Sequence, residues 1–210
     1  RISETEMGQR AESFLTRLRT RRSVREFSVE PVPLEVLERC IETAAQAPSG
    51  ANKQPWTFAL VTDPALKAKI RDAAEKEEQA FYGGGASAQW LRDLEPLGTG
   101  PQKPFLAIAP ALIVVLAQRR SPKPNERNYY VSESVGIAVG FLLAALHNAG
   151  LATLTHTPSP MKFLAEILER PSHEAAYMLI VVGYPAEGCR VPNLQRKPIE
   201  EVLVHYDSAK

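Results

Sequence analysis

Long apolar runs alternate with amphipathic segments along this chain, and the runs mark the predicted strands. Residues 56–62 (WTFALVT) are rich in β-branched and aromatic side chains, which favours a strand. Residues 110–117 (PALIVVLA) and 176–184 (AYMLIVVGY) are almost continuously apolar, as is typical of strands covered on both faces. The pattern predicts a central sheet, and the helices between the strands indicate an α+β fold.

Two amphipathic helices are predicted in the first 50 residues. Phe14, Leu15 and Leu18 are spaced so that a helix lays one apolar stripe on the rest of the protein. Pro33 suits the first turn of a second helix, whose apolar side chains follow at helical spacing until residues 47–50 (APSG) end it. A loop is therefore expected after the second helix.

A third helix is predicted to leave the core as it runs on. Asp63 and Pro64 supply its N-cap and first-turn proline, and its apolar positions fade into the charged run of residues 75–79 (EKEEQ). Three glycines at residues 83–85 then break it, and glycine, proline and charge are mixed as far as residue 104. This composition is typical of a mobile, partly helical lid, which we place at about residues 75–104.

Residues 132–148 form a predicted helix that is apolar almost all round and closes at Gly150, which suits the left-handed position after a helix. Such a helix must be buried, and one small sheet does not easily cover all of its sides. Burial between two subunits is an economical explanation, so we expect a homodimer.

The composition restricts the partners and surroundings of the protein. The 210 residues are 44% hydrophobic and carry 25 Lys and Arg against 24 Asp and Glu, so the net charge of +1 argues against a nucleic-acid partner. Two cysteines without CxxC spacing indicate neither a disulfide framework nor a zinc site, which favours a reducing compartment. The apolar runs are shorter than the roughly 18 to 20 residues of a membrane span. We therefore expect one domain over residues 1–210 in the cytoplasm, while the start at Arg1 leaves open an anchor that was removed.

The sequence lacks the short motifs of several large enzyme classes. It has no GxGxxG after a strand, no GxxxxGK[ST], no HExxH and no GxSxG. Its histidines are not paired at metal-ligand spacing, so we interpret them as helix-end or surface side chains and predict no metal site.

Three polar segments are candidates for ligand binding, and each has a plain structural alternative. Five arginines within residues 17–25 present guanidinium groups that suit a phosphate monoester, or they form a solvated basic helix face. Residues 47–56 (APSGANKQPW) let the backbone approach a flat ligand, or they simply connect a helix to a strand. Residues 153–160 (TLTHTPSP) form a rigid loop that is either a turn or a ledge for a ligand. Spacing alone does not decide between these alternatives.

Taken together, these segments resemble the FMN-dependent nitroreductase superfamily and, within it, the iodotyrosine deiodinases. The similarity runs from about residue 18 to residue 204 and includes RRSVREF, APSGANKQPW, SVGIAVGFLLAALHNAGL, TLTHTP, VGYP and VPNLQRKP in the family's order. The resemblance implies an α+β domain with a mixed β-sheet flanked by helices, FMN as the cofactor, and an intertwined homodimer with two sites across its interface.

The resemblance also implies cofactor contacts. The residues that match the family's contacts to the phosphate and the ribityl chain are Arg21, Arg22, Ser23, Arg25 and Arg196. Ser49 resembles a flavin contact made from the other subunit, and Thr155 matches the loop beneath the isoalloxazine ring. Thr157 stands where deiodinases place a hydroxyl that donates to flavin N5, and such a donor favours one-electron steps over hydride transfer. Thr157 is therefore the candidate catalytic residue.

The lid supplies the substrate contacts that the resemblance implies. Glu78 and Tyr82 are four residues apart, so a helix presents both on one face, and Lys103 follows at the family's spacing. Deiodinases use such a set to hold an amino-acid zwitterion, with Glu78 on the ammonium group and the other two on the carboxylate. The backbone N–H of Ala51 matches the group that supports the substrate phenolate. A solvated helix face is the plain alternative for the charged run around Glu78.

The resemblance thus implies FMN-dependent reductive dehalogenation of 3-iodotyrosine and related halotyrosines, which gives tyrosine and halide. The expected electron donor is NAD(P)H, acting directly or through a reductase. A broad-specificity FMN nitroreductase or quinone reductase, in which the lid is incidental, is the alternative enzyme. A flavin-binding or halotyrosine-sensing module without turnover is the alternative outside the enzymes.

Overall fold

The strands form one antiparallel sheet. The computed structural model describes residues 1–207 and contains the strands β1 (Trp56–Val61), β2 (Ala111–Gln118), β3 (Ala152–His156) and β4 (Glu174–Gly183). Their order across the sheet is β1-β2-β4-β3, so β1 and β3 lie at opposite edges. Each neighbouring pair is antiparallel, and the parallel component of the expected mixed sheet is an isolated bridge between Ser23 and Thr153.

Helices cover both faces of this sheet. They are α1 (Glu4–Arg19), α2 (Leu34–Ala45), α3 (Pro64–Ala80), α4 (Ala88–Leu94), α5 (Phe105–Ile108), α6 (Val131–Asn148) and α7 (Lys162–Ile167), with short 3-10 turns at Gly50–Asn52, Glu95–Leu97 and Ile199–Glu201 and a π-helical turn at Phe81–Gly85. Helices α2 and α6 pack on one face, and α3, α5 and α7 pack on the other. The expected α+β architecture, with a sheet between helical layers, is confirmed.

The inner strands carry the core because both of their faces are covered. The first seven residues of β2 are buried, and their side chains alternate between the two layers. Ile113 and Val115 belong to the cluster beneath α2 and α6, whereas Leu112 and Val114 belong to the cluster beneath α3 and α5. The interpretation of this apolar run as a doubly covered strand is confirmed.

Local signals place the helix ends where the sequence predicts them. Asp63 caps α3 by accepting a hydrogen bond from the Leu66 N–H at 2.7 Å, and Pro64 is the first residue of the helix. Gly150 follows α6 with a φ of +83°, a left-handed conformation that favours glycine. Pro33 is the cap residue of α2, one position before its first turn.

Two expectations about local structure are wrong. Helix α1 buries none of its residues completely, and Phe14 and Leu15 remain 53% and 44% exposed, so within this chain its apolar stripe is partly covered only at the half-buried Leu18. Residues 153–156, expected in a rigid loop, belong to the edge strand β3. Polar side chains conceal the alternation of this strand in the sequence, and its pairing with β4 is a long-range contact.

Helix α6 is buried on one side and exposed on the other. Val135, Leu142 and Leu146 are fully buried, whereas Ile137 and Phe141 are 42% and 41% exposed. The 18 residues have a mean hydropathy of 1.3, which by length and composition alone is enough to cross a membrane. The buried side nevertheless packs on the sheet and on α2, as part of the core. A second apolar side is left on the surface of the chain.

Candidate functional site

Residues 21–27 extend the sheet beyond its β3 edge. Ser23 forms a parallel bridge with Thr153, and the Val24 N–H donates to the Thr153 carbonyl oxygen at 3.0 Å. Val24 is buried, so the alternation of an extended segment places Ser23 and Arg25 on the opposite side. This pairing brings the predicted phosphate-binding residues to β3.

Guanidinium groups cluster in this segment without carboxylate partners. None of Arg21, Arg22, Arg25 and Arg196 forms an ion pair with an acidic side chain within residues 1–207. Burial, followed by the positive charges of Arg196 and Arg22, lowers the pKa of Arg21, and burial lowers the pKa of Arg25. Arg22 donates to the carbonyl oxygens of Arg19 and Arg21 at 2.6 and 2.9 Å. Cations that lack counterions and repel one another form a suitable site for a bound anion.

A cavity of about 200 Å³ lies between the end of β3 and the lid. The predicted site residues that line it are Arg25, Glu78, Tyr82, Lys103, Thr155 and Thr157. Helix α3 supplies Glu78, the π-helical turn after it supplies Tyr82, and Lys103 comes shortly before α5. The fold therefore brings the predicted substrate-binding residues to the predicted flavin loop.

Glu78 and Lys103 form an almost completely buried ion pair in this cavity. The Lys103 Nζ lies 3.0 Å from the Glu78 Oε2, and the two side chains are 4% and 12% exposed, respectively. The same Nζ donates to the Thr99 Oγ1 at 3.2 Å and lies 5.5 Å from the centroid of the Tyr82 ring. The Tyr82 hydroxyl donates to the Thr99 carbonyl oxygen at 3.2 Å. Glu78 is therefore not part of a solvated helix face.

Glu75 connects the two ends of the lid. Its carboxylate accepts hydrogen bonds from the Lys103 N–H at 2.7 Å and from the Arg71 Nε at 2.9 Å. Burial opposes the charged form of Glu75, but these two donors outweigh burial and lower the pKa of its carboxyl. The charged Glu75 thus fixes the backbone of Lys103 beside α3, which positions the Lys103 side chain in the cavity.

His156 is a site residue that the sequence interpretation missed when it assigned the histidines to helix ends or the surface. Its side chain packs edge-on against Phe105, with ring centroids 5.8 Å apart, and lines the cavity. Its Nε2 lies 3.8 Å from the Glu78 Oε1. Burial, followed by the positive charges of Lys103 and Arg25, lowers the pKa of His156 to about 3, so the imidazole is neutral at physiological pH. Only the recognition of β3 as a strand reveals this position, because Leu154 of the same strand belongs to the core on that side and His156 follows two residues later.

Ser49 and Ala51 lie away from this cavity in the single chain. Their loop precedes β1, and the outermost strands β1 and β3 are three strand spacings, or about 14 Å, apart. The Gly50 N–H donates to the Ser134 Oγ at 3.3 Å, which holds the loop against α6. Within the loop, the Ser49 Oγ accepts a hydrogen bond from the Gln54 N–H at 2.9 Å. One chain therefore does not bring Ser49 and Ala51 to the other predicted site residues.

Known proteins are similar to this chain in sequence. It matches the nitroreductase family over residues 18–184. It is 60% identical over 189 residues to an iodotyrosine deiodinase of Haliscomenobacter hydrossis, which covers 89% of this chain and 85% of that protein. It is 45% identical over 207 residues to iodotyrosine deiodinase 1 of Homo sapiens, which covers 96% of this chain and 71% of the human protein.

A solved structure shares the fold. The crystal structure of oxidised iodotyrosine deiodinase bound to FMN and 3-iodo-L-tyrosine matches this chain with a TM-score of 0.78 at 32% sequence identity. The match covers 93% of this chain and 99% of that one. The likeness thus extends over nearly the whole chain, in sequence and in structure. The chain therefore belongs to the nitroreductase family and, within that family, to its iodotyrosine deiodinase branch.

Proposed function

We propose that this protein is an FMN-dependent enzyme that reductively dehalogenates 3-iodotyrosine and related halotyrosines to tyrosine and halide. The observation that carries the proposal is the buried pair of Glu78 and Lys103, with Tyr82 beside it, in the cavity where β3 ends. This pair offers one negative and one positive charge to an amino-acid zwitterion. The identity of 60% to a deiodinase of Haliscomenobacter hydrossis supports the same function.

The residues beside β3 fit FMN. The positive charges of Arg21, Arg22 and Arg196 have no carboxylate partner within residues 1–207, which suits the doubly charged phosphate of the cofactor. Ser23 and Arg25 follow on the extended segment along β3 and offer a hydroxyl and a further guanidinium group. These five residues would hold the phosphate and the ribityl chain.

FMN, once bound and reduced by the electron donor, would supply two electrons, which together with one proton convert the carbon–halogen bond into a carbon–hydrogen bond and a halide ion. Thr155 lies in β3 and Thr157 directly follows that strand. Both threonines line the cavity. The Thr157 hydroxyl would donate to flavin N5 and favour one-electron transfer, while Thr155 would support the isoalloxazine ring. Thr157 is therefore the proposed catalytic residue.

The charges of the substrate replace the internal ion pair of the lid. Glu78 receives the α-ammonium group, and Lys103 and the Tyr82 hydroxyl receive the α-carboxylate, so each buried charge keeps a partner. A ligand without one of these charges leaves Glu78 or Lys103 buried and unpaired, which costs about 3 to 5 kcal/mol. The lid therefore selects a zwitterion, and its closure excludes water from the reacting ring.

A homodimer completes the site. The cavity of about 200 Å³ in one chain is smaller than the roughly 300 to 1,000 Å³ typical of ligand pockets. Phe141 on the exposed side of α6 and Phe14 on α1 line an apolar groove of about 710 Å³, which offers a surface to a second copy. Each subunit then contributes its Ser49 and Ala51 to the site of the other, where Ser49 contacts the flavin and the Ala51 N–H supports the substrate phenolate.

The electron donor and the compartment stay predictions. NAD(P)H, acting directly or through a reductase, is the proposed source of electrons for the cofactor. Cys40 and Cys189 are free thiols, which is consistent with the predicted cytoplasmic location.

An anaerobic turnover experiment tests the proposed function. The purified holoenzyme is reduced with dithionite and mixed with 3-iodotyrosine, while the visible flavin band and free iodide are measured. We expect oxidised flavin to return together with stoichiometric iodide. Flavin that stays reduced with 3-iodotyrosine but is reoxidised by a nitroaromatic compound would instead identify the broad-specificity nitroreductase or quinone reductase.

A further inference from the structure

The imidazole of His156 is buried inside the site without a role in the proposed reaction. The residue is 7% exposed, and its Nε2 is buried and has no hydrogen-bond partner among residues 1–207. Such an atom is costly, because burial removes its hydrogen bonds to water and the protein does not replace them. An unsatisfied polar atom in a ligand cavity therefore points to a contact that forms in another state of the site.

The carboxylate of Glu78 lies between two buried groups. Its Oε2 is 3.0 Å from the Lys103 Nζ, and its Oε1 is 3.8 Å from the His156 Nε2. The first distance is that of an ion pair with a hydrogen bond, whereas the second exceeds the roughly 3.2 Å limit of a good N–H···O hydrogen bond. A movement of less than about 1 Å would bring Glu78 and His156 into hydrogen-bond contact.

The charges around His156 determine which nitrogen carries its proton. Burial and the positive charges of Lys103 and Arg25 hold its pKa at about 3, so the ring is neutral and carries one proton. A ring-nitrogen lone pair that faces the Glu78 carboxylate would be repelled, whereas an N–H that faces it would be attracted. The charge of Glu78 therefore favours the tautomer with the proton on Nε2, the nitrogen that faces Glu78.

We propose that His156 is a positioning residue whose Nε2–H donates to the Glu78 Oε1 and holds that carboxylate against the substrate ammonium when the lid closes. This role rests on the proposed function. When the substrate carboxylate takes over Lys103, Glu78 loses the internal cation that holds its other oxygen. His156 then keeps the carboxylate in place for the incoming ammonium group, and its unsatisfied Nε2 gains a partner.

A pair of ligands that differ only in the ammonium group tests this role. Dissociation constants for oxidised holoenzyme are measured from the flavin absorbance for 3-iodotyrosine and for 3-(4-hydroxy-3-iodophenyl)propanoate, which lacks the ammonium. In His156→Leu we expect the constant for 3-iodotyrosine to rise about tenfold, because a hydrogen bond to a charged group is lost. The constant for the propanoate should change by less than about twofold, because without an incoming ammonium group Glu78 keeps its ion pair with Lys103, which the ligand carboxylate then shares, and does not depend on His156.

Two conservative variants separate the hydrogen bond from the packing of the ring. His156→Gln places an amide N–H at about the position of Nε2 and should retain most of the affinity for 3-iodotyrosine. His156→Asn places its amide nearer to Nδ1 and should lose it. The flavin content of His156→Leu shows whether that variant folds. If it does not fold, the comparison of His156→Gln with His156→Asn tests the hydrogen bond in its place.

A double variant tests whether His156 affects 3-iodotyrosine binding by way of Glu78. In Glu78→Met no side-chain oxygen is left to accept the hydrogen bond, so adding His156→Leu should weaken 3-iodotyrosine binding by less than about twofold. Equal weakening of both ligands by His156→Leu, or an unchanged constant for 3-iodotyrosine, would overturn the proposed role. Wild-type protein that does not bind or dehalogenate 3-iodotyrosine would instead overturn the proposed function, and with it the role of His156.

Discussion

The two faces of the sheet bury different kinds of side chain. On the face of α2 and α6, the buried side chains are apolar apart from Cys40 and Ser134, and none of them is charged. On the face of α3 and α5, Lys67, Lys103 and His156 are buried beside a similar apolar cluster. Burial of apolar area stabilises the fold, whereas burial of charge has a cost that partners must offset. The first face therefore serves mainly stability, and the second combines stability with binding.

The partners of the two buried lysines show how a structural charge differs from a functional one. The Lys67 Nζ donates to the carbonyl oxygen of Ala109, at the end of α5, at 2.6 Å. A backbone carbonyl group in the core cannot move aside for a ligand, so we interpret Lys67 as a structural residue that stabilises the end of α5. The Lys103 Nζ pairs with the side chain of Glu78, which a ligand can replace. A buried charge whose partner is exchangeable indicates a binding site.

Removal of the exchangeable charge should have the largest effect. In Lys103→Ala, Glu78 is left as an unpaired buried carboxylate and the substrate carboxylate loses its cation. We expect kcat/KM for 3-iodotyrosine to fall by about 150- to 5,000-fold, which corresponds to the roughly 3 to 5 kcal/mol cost of a broken buried pair. Steady-state iodide release measures this loss, and the flavin content should stay unchanged.

Lys76→Ala is the matched control, because Lys76 is exposed on the same helix as Glu78. Its halotyrosine turnover should stay within about twofold of wild type. An equal loss of nitroaromatic and halotyrosine turnover in Lys103→Ala would contradict the proposed role of Glu78, Tyr82 and Lys103 in binding the zwitterion.

Substitutions in the core on the face of α2 and α6 should change the free energy of unfolding and not the choice of substrate. Leu142→Ala on α6 opens a cavity in the fully buried cluster, so we expect the free energy of unfolding to fall by about 3 kcal/mol. Denaturant unfolding followed by circular dichroism measures the change.

The neighbouring Phe141→Ser removes an exposed apolar side chain from the proposed dimer surface, and sedimentation should show weaker association. Dimers as tight as wild type in Phe141→Ser would argue against that surface.

The smallest expected effect is the pH dependence that His156 adds on the binding face. Its pKa is about 3 in the folded chain and about 6.5 when unfolded, so between these values the unfolded state binds the extra proton. The contribution of His156 to stability is thus complete above pH 6.5 and is lost as the pH falls toward 3. From pH 7 to pH 5 this loss is about 2 kcal/mol.

His156→Gln does not titrate and should lack this part of the loss, as measured by denaturant unfolding at both pH values. His205→Gln, which changes an exposed histidine, is the control and should keep the wild-type pH dependence. If the free energy of unfolding depended on pH equally in wild type and His156→Gln, His156 would not be held neutral in the folded chain.

Much of the fold follows from local patterns. The strands β1, β2 and β4 and the caps of α3 and α6 agree with predictions from alternation, apolar runs and cap residues. These signals act over a few residues, so they can be recognised without the tertiary structure. The sequence does not reveal the strand β3, because Pro158 and Pro160 follow it closely and favour a loop, and its stability comes from pairing with β4.

The candidate site was predictable only where a motif carries its chemistry. Glu78, Tyr82 and Lys103 were recognised by the resemblance, and the structure brings them into one cavity. His156 has no motif, and its role depends on its position opposite Glu78, which is 78 residues away in the chain. Glu75 likewise belongs to a charged run that has the composition of a solvated surface, yet it binds the Lys103 N–H.

By itself, the sequence determined the secondary structure of the core, the family and the chemical types of the site residues, because periodicity, caps and motifs are properties of neighbouring residues. Only the tertiary structure decided that Glu78 pairs with Lys103, that the Nε2 of His156 faces Glu78, and that the loop of Ser49 lies at the far edge of the sheet. These relations arise from packing between segments distant in the chain, and burial then sets which charges are paired and keeps the imidazole of His156 neutral.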